Sequence, residues 1–191
     1  MIMRLAYQQN WAKAAPWLGI LTAFLLLLKI PMSNPLFWGL VNIPLYLFHQ
    51  TEEHYIPGGF KDYMNQVVNQ LPPGQEILTD RKVFWINILL VWVAFLLFGL
   101  LSFLNLGFGL LIIIFSLINC TTHIVEWFRR RRWNPGLIMA SLQFLLSLYA
   151  AYFITFHGLS NAVFWWITTL LFSILVHALL FRLVLSKTSR S

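Results

Sequence analysis

The sequence predicts an all-α membrane protein: a polytopic bundle of six transmembrane helices with one short interfacial amphipathic helix. Three observations carry this. The 191 residues are 59% hydrophobic and only 10% charged, with a mean hydropathy of +0.73. A water-soluble domain of that size cannot hide so much apolar surface, because ordinary usage is about half apolar and a quarter charged. Six runs, about 11–30, 35–53, 83–104, 107–128, 135–157 and 161–183, approach the roughly 20 apolar residues that cross a bilayer as a helix. Basic residues, finally, fall almost wholly on one side of those runs.

The first run follows Arg4 and Lys13 as a signal peptide would, yet Lys29-Ile-Pro-Met-Ser-Asn34 comes next without a small-x-small cleavage pattern. It is expected to be a retained span. The second run is short and contains Pro44, which removes a backbone donor and bends a helix. That bend is either a plain kink or a device that aims the last two turns inward. In the 54–82 connection Phe60, Tyr63, Met64, Val67, Val68 and Leu71 recur at helical spacing among polar residues, including Asn65, until Pro72-Pro73-Gly74 ends the pattern. Such a helix lies in the membrane interface, apolar face down, as an anchor or as a lid for an amphiphilic substrate.

An even number of spans puts both termini on the side of the 54–82 and 129–134 connections. Twelve of the 13 Lys and Arg then share that side, including Arg129 to Arg132, Lys187 and Arg190, and only Lys29 is opposite. The positive-inside rule makes that side cytoplasmic. The net charge of +7 is therefore accounted for by topology and anionic lipid, and nucleic acid is not expected as a partner. Residues 1–191 read as a single integral membrane domain. Cys120, the one cysteine, excludes an internal disulfide and reads as a small core residue.

Chemistry concentrates where the descending spans end. His49, Glu52 and Glu53 stand at i, i+3 and i+4, one face of a helix. Asn119, His123 and Glu126 stand at i−4, i and i+3 near the end of the fourth span. His177 lies about two turns before the end of the sixth span, and Gln143 enters the fifth from the same side. Span count alone brings these residues to one level of one leaflet.

His49-Gln-Thr-Glu52-Glu53 resembles the signature of the HXXEE-domain family of prokaryotic integral membrane proteins. Asn119-Cys-Thr-Thr-His123 matches that family's N-x-x-x-H motif. Its Y-x-P-G element is matched by Tyr55-Ile-Pro57-Gly58 and, with Trp for Tyr, by Trp133-Asn-Pro135-Gly136. The resemblance implies a membrane-embedded enzyme and a prokaryotic inner membrane. The residues also carry an internal repeat, His-x-x-Glu followed by an aromatic-x-Pro-Gly turn, which fits parallel repeats of a two-helix hairpin with spans five and six as a degenerate third copy.

His-x-x-Glu pairs suit a divalent metal, Zn or Fe/Mn, since imidazole and carboxylate together make open catalytic sites. On this reading His49, Glu52, His123 and Glu126 are the ligands. Glu53, outside the repeated pattern, is the general base, and Asn119, His177, Tyr55, Pro57 and Gly58 support the site. Plainer roles stand beside these: Glu126 as ion-pair partner of Arg129 or Arg130, His177 as a hydrogen-bonded core histidine, Asn119 as a cross-link between helices, His54 as a solvated residue, and His157 as an interfacial one. Ionisable groups inside spans cost several kcal/mol unless paired, which favours function for the group as a whole. The function expected is a metal-dependent hydrolase of a lipidic or amphiphilic small molecule at the cytoplasmic leaflet. A proton- or ion-coupled carrier and a non-catalytic accessory protein remain as alternatives. Membrane lipids are expected partners, and the sequence names no protein partner.

Overall fold

Helix accounts for most of residues 2–185, which the computed structural model describes, and no strand occurs among them. In chain order these are α1 (Ile2–Ala6), a 3-10 segment (Tyr7–Ala14), α2 (Ala15–Lys29), α3 (Pro35–Leu40), α4 (Asn42–His54), and α5 (Phe60–Asp62), which continues as a π turn over Tyr63–Val68. Next come α6 (Asp80–Trp85), a π segment (Ile86–Val93) and α7 (Ala94–Ser102), then α8 (Gly107–Arg130), α9 (Leu137–His157) and α10 (Ala162–Val184). Lys187 and Arg190, two of the residues in the charge count, lie outside the described residues.

Five helical segments are long and apolar enough to cross a membrane: Arg4–Lys29, Asp80–Ser102, Gly107–Arg130, Leu137–His157 and Ala162–Val184. This is the composition of an integral membrane protein. The second expected span differs because it forms two helices, α3 and α4, parted at Val41. The cause is Pro44, which has no N–H to offer the Leu40 carbonyl. Asn34 starts α3 by accepting a hydrogen bond from the Leu36 N–H, with Pro35 in the first turn. A Cβ placed on Gly158 would lie 2.8 Å from Leu106 and 3.1 Å from Pro35, so three connections meet at one end of the bundle. The other end of α4 reaches the 131–136 turn, and α3 and α4 together run the bundle's length.

Of the five helical segments able to span a membrane, the most buried is α8, which packs against α9, α10, α7, α3 and α4. Leu110, Ile113 and Ile114 meet Ala150, Ala151 and Ile154 of α9, while Ile112 and Phe115 meet Tyr46, Val91 and Phe95. Gly109 lets the α3 backbone approach closely: a Cβ there would sit 2.8 Å from the Cα of Gly39.

The expected interfacial helix is shorter and more embedded than its pattern suggests. It ends at the π turn, and Tyr63 and Asn65 are buried. Asn65, placed on the polar face by spacing, is turned inward because its carboxamide serves the loop behind it. It accepts from the Ile77 and Leu78 N–H groups at 3.0 and 2.9 Å and donates to the Leu78 carbonyl at 2.9 Å. Phe60 and Met64 pack on Trp11, Leu78 and Phe84, so the segment roofs the bundle. Lys61 closes the roof by pairing with Glu76 at 2.6 Å and Asp80 at 3.0 Å.

Candidate metal centre

On α4 the residues Asn42, Tyr46, His49 and Glu53 fall at i, i+4, i+7 and i+11, a single stripe, and all four are buried. The last turns of α4 are thus turned into the bundle, as the inward-aiming reading of Pro44 requires. Opposite them α8 presents Asn119 and His123. Glu53 lies between the two helices. Its Oε1 is 3.1 Å from His123 Nε2, and its Oε2 is 3.5 Å from His49 Nε2. The imidazoles of His49 and His123 meet edge to face with centroids 4.8 Å apart. One ligand atom from each of His49, Glu53 and His123 lies within 4.8 Å of the others, a group that can hold a metal ion.

Each histidine is oriented by an amide. His49 Nε2 is 3.2 Å from Asn119 Nδ2. His123 Nδ1 is 2.9 Å from Asn134 Oδ1, and Asn134 donates back to the His123 carbonyl at 3.0 Å. On His123 the partner sits on the far ring nitrogen, which fixes a ligand's tautomer and aim as metal sites commonly require, whereas on His49 Asn119 shares Nε2 with Glu53. The turn carrying Asn134 also brings Gly136 onto the cluster at φ +94°, where only glycine fits. A Cβ there would stand 2.7 Å from Glu53 Cγ and 3.0 Å from each imidazole Cε1 of His49 and His123. Two imidazoles and a carboxylate, oriented and buried together, are a donor set that fits a divalent ion.

Glu52 takes a different place. Its oxygens accept the Ile138 and Met139 N–H groups at 3.1 and 2.7 Å. These are unpaired donors of the first turn of α9, whose N-cap, Gly136, has no side chain to satisfy them. The positive end of α9 therefore meets two adjacent buried carboxylates and compensates their charge. Glu126 is likewise apart from the cluster. It pairs with Arg130 and accepts from the Tyr63 hydroxyl at 3.4 Å. Burial and the Glu126 carboxylate hold the Tyr63 phenol above its ordinary range, so it remains a donor.

His54, expected to be solvated, is buried: its ring lies 5.1 Å from Trp11 and 5.4 Å from Phe60. The N-terminal segment and the roof together exclude water from it. Its Nε2 is 3.5 Å from Glu53 Oε2 and 3.4 Å from Asn87 Nδ2. Asn87 and Trp92, both in the π segment, hold Gln50 at 2.7 and 2.6 Å and so lock α4 in place.

The remaining residues fall into place around this centre. His177 donates its Nδ1–H to the Ser173 carbonyl, 2.8 Å away, and its ring packs on Phe115. It lines the same cavity as Glu53 and His123 without reaching them. Gln143 bonds Asn42 at 2.9 Å in a deeper polar layer with Ser147. Tyr55 and Pro57 are exposed, and Gly58, at φ +73°, donates its N–H to the Glu52 carbonyl at 3.0 Å. The first aromatic-x-Pro-Gly turn thus ends α4, whereas the second enters the centre. The two copies of the repeat do unlike work. His157 is exposed at the other end of the bundle.

A cavity of about 580 Å³ adjoins the centre, bounded by Glu53, His54, His123, Asn119 and a larger number of apolar side chains. Spanning helices around a buried His–Glu cluster define a helical integral membrane protein with a candidate metal centre. Residues 40–151 match the family described as proteins of unknown function with an HXXEE motif, and the chain belongs to that family. The matched stretch contains His49, Glu53, His123, Asn134 and Gly136. No curated protein and no solved structure matches the chain.

Proposed function

We propose that this protein is a membrane-embedded metal-dependent hydrolase of an amphiphilic small molecule, acting at the cytoplasmic leaflet. The observation that carries the reading is the buried Glu53 carboxylate set between His49 and His123 beside a largely apolar cavity. His49, Glu53 and His123 are the ligands of this proposal, and Zn or Fe/Mn the ions that such a set accepts. A divalent ion supplies Lewis acidity and lowers the pKa of bound water. The protein's own groups do the rest. Asn119 and Asn134 aim the imidazoles, and Gly136 leaves room for them. With Glu53 engaged as a ligand, His54 is the group placed to carry a proton. Glu52 and Glu126, occupied by the α9 terminus and by Arg130, are given structural roles.

The topology that goes with this function has six crossings. The paired helices α3 and α4 supply the crossing that no single helix provides, since 20 residues rise about 30 Å, the thickness of the hydrocarbon core. Both termini and the centre then lie on the basic, cytoplasmic side of an inner membrane.

The test is metal analysis of the purified protein with a hydrolysis screen over amphiphilic esters, amides and phosphoesters. Stoichiometric metal and a turnover lost in Glu53→Gln are expected. A protein that takes up no divalent metal under any loading condition overturns the proposal. The layer of Asn42, Gln143 and Ser147 gives the carrier alternative its one support. Proton or ion flux into sealed vesicles, with no hydrolysis, would select it.

A further inference from the structure

The cavity beside the centre has two unlike boundaries. Toward the 55–79 connection it is closed by Phe60, Tyr63 and Met64 of the roof. Toward the Arg end of α8 and the last turn of α10 it is open, since three residues that line it, Val125, Phe181 and Leu185, are 46%, 40% and 40% exposed. They stand on or at the end of helices long and apolar enough to span a membrane, and all three are apolar, as a lipid-facing surface is. This is a lateral opening.

The lining is also ordered along the membrane normal. On α8 the wall runs from Arg129 past His123 to Phe115. At the helical rise, Arg129 to His123 is about 9 Å and His123 to Phe115 about 12 Å further in. The deep stretch, with Phe115, Val91 and Leu180, is apolar except for His177 against Phe115. At the outer end Arg130 is taken up by Glu126, whereas Arg129 has no carboxylate partner among the described residues. A free guanidinium at the headgroup level recognises phosphate or carboxylate with paired hydrogen bonds.

We infer that the cavity takes an anionic amphiphile from the adjoining leaflet, its acyl chain entering past Val125 and Phe181 and its head held by Arg129. This deepens the proposed function by naming its substrate class. It also places the linkage between head and chain at the depth of Glu53 and His123. The head is a carboxylate or a phosphate, that is, a fatty acid or a phospholipid.

The experiment uses the full chain in phosphatidylcholine vesicles with three photoactivatable probes of one chain type: a fatty acid, a phosphatidic acid and a neutral diacylglycerol. Labelled residues are mapped by peptide mass spectrometry. One or both anionic probes are expected to mark Phe115, Ile118 or Leu180, and the more efficient one identifies the head. The neutral probe should mark them about fivefold less, the factor that one interfacial cation contributes. Arg129→Gln should bring the anionic probes down to the neutral level, and Arg129→Lys should largely restore them. Val125→Trp, which obstructs the opening, should lower labelling by all probes; if that variant does not fold, Phe181→Trp makes the same obstruction. Label confined to the outward faces of α2 and α10, or equal marking by the neutral probe, overturns the inference. The two proposals fail separately. A protein that labels in this way but binds no metal loses only the enzyme reading, and one that binds metal but labels only outside loses only this inference.

Discussion

Gly136 rests against Glu53 so closely that a Cβ on the glycine would stand 2.7 Å from the Cγ of the carboxylate side chain. The Cγ is near the α4 backbone and cannot swing aside as a flexible chain end would. Gly136→Ala also places a side chain at φ +94°, a conformation that costs an L-residue about 1–2 kcal/mol. The expected outcome is a lower melting temperature and a fall in metal affinity on the order of tenfold, as for other supports of metal ligands. Titration with a competing chelator measures the second effect. Unchanged affinity in Gly136→Ala would place the metal elsewhere.

The two adjacent glutamates should separate cleanly. Glu53→Gln and His123→Ala are expected to lose bound metal after dialysis, because each removes one of three donors. Glu52→Gln is expected to keep metal while losing about 1–3 kcal/mol of stability, since a neutral amide weakens two hydrogen bonds made by a buried carboxylate. Elemental analysis and thermal unfolding on the three variants decide the matter. Metal retained in Glu53→Gln and lost in Glu52→Gln would exchange the two roles.

Much of this was legible in the sequence, for physical reasons that also mark where legibility ends. Apolar runs and charge asymmetry reveal spans because lipid imposes a composition on whole segments. Span count brought His49, Glu53 and His123 to one depth, and helical periodicity put His49 and Glu53 on one face. It could not divide labour between Glu52 and Glu53, because both lie on the inner side of α4 and the division is set by α9, whose first turn needs an acceptor. The position of His54 depends on Trp11 and Phe60, which come from segments that fold over the bundle and leave no periodic trace. Asn134 and Gly136 were within reach: they belong to the second aromatic-x-Pro-Gly turn, read as a repeat marker when it is in fact part of the centre.

The crossing formed by α3 and α4 can be tested directly. Reporter fusions at residues 33, 76 and 105 are expected to place 33 and 105 on one side and 76 on the other, with 76 cytoplasmic. Residues 33 and 76 on the same side would mean that α3 and α4 do not cross. The bundle would then have the five spans that length and composition alone provide.

Asn134 gives the sharpest test of orientation against ligation. Its Oδ1 lies 2.9 Å from His123 Nδ1, while its Nδ2 donates to the His123 carbonyl, so one amide grips both the ring and the backbone of the same residue. It does not belong to the His49–Glu53–His123 group. If its task is to hold the imidazole with Nε2 toward Glu53, Asn134→Ala should retain a metal stoichiometry of wild type at saturating metal. Its affinity should nonetheless fall about 10–100-fold, the range found when the partner of a ligating histidine is lost. Asn134→Asp keeps an acceptor for Nδ1 and should recover affinity, because a carboxylate raises the basicity of the ring it binds. It loses the donor to the His123 carbonyl, so its melting temperature should remain below wild type. A merely structural asparagine would show the opposite ordering, with stability lost and affinity for the metal unmoved in both variants.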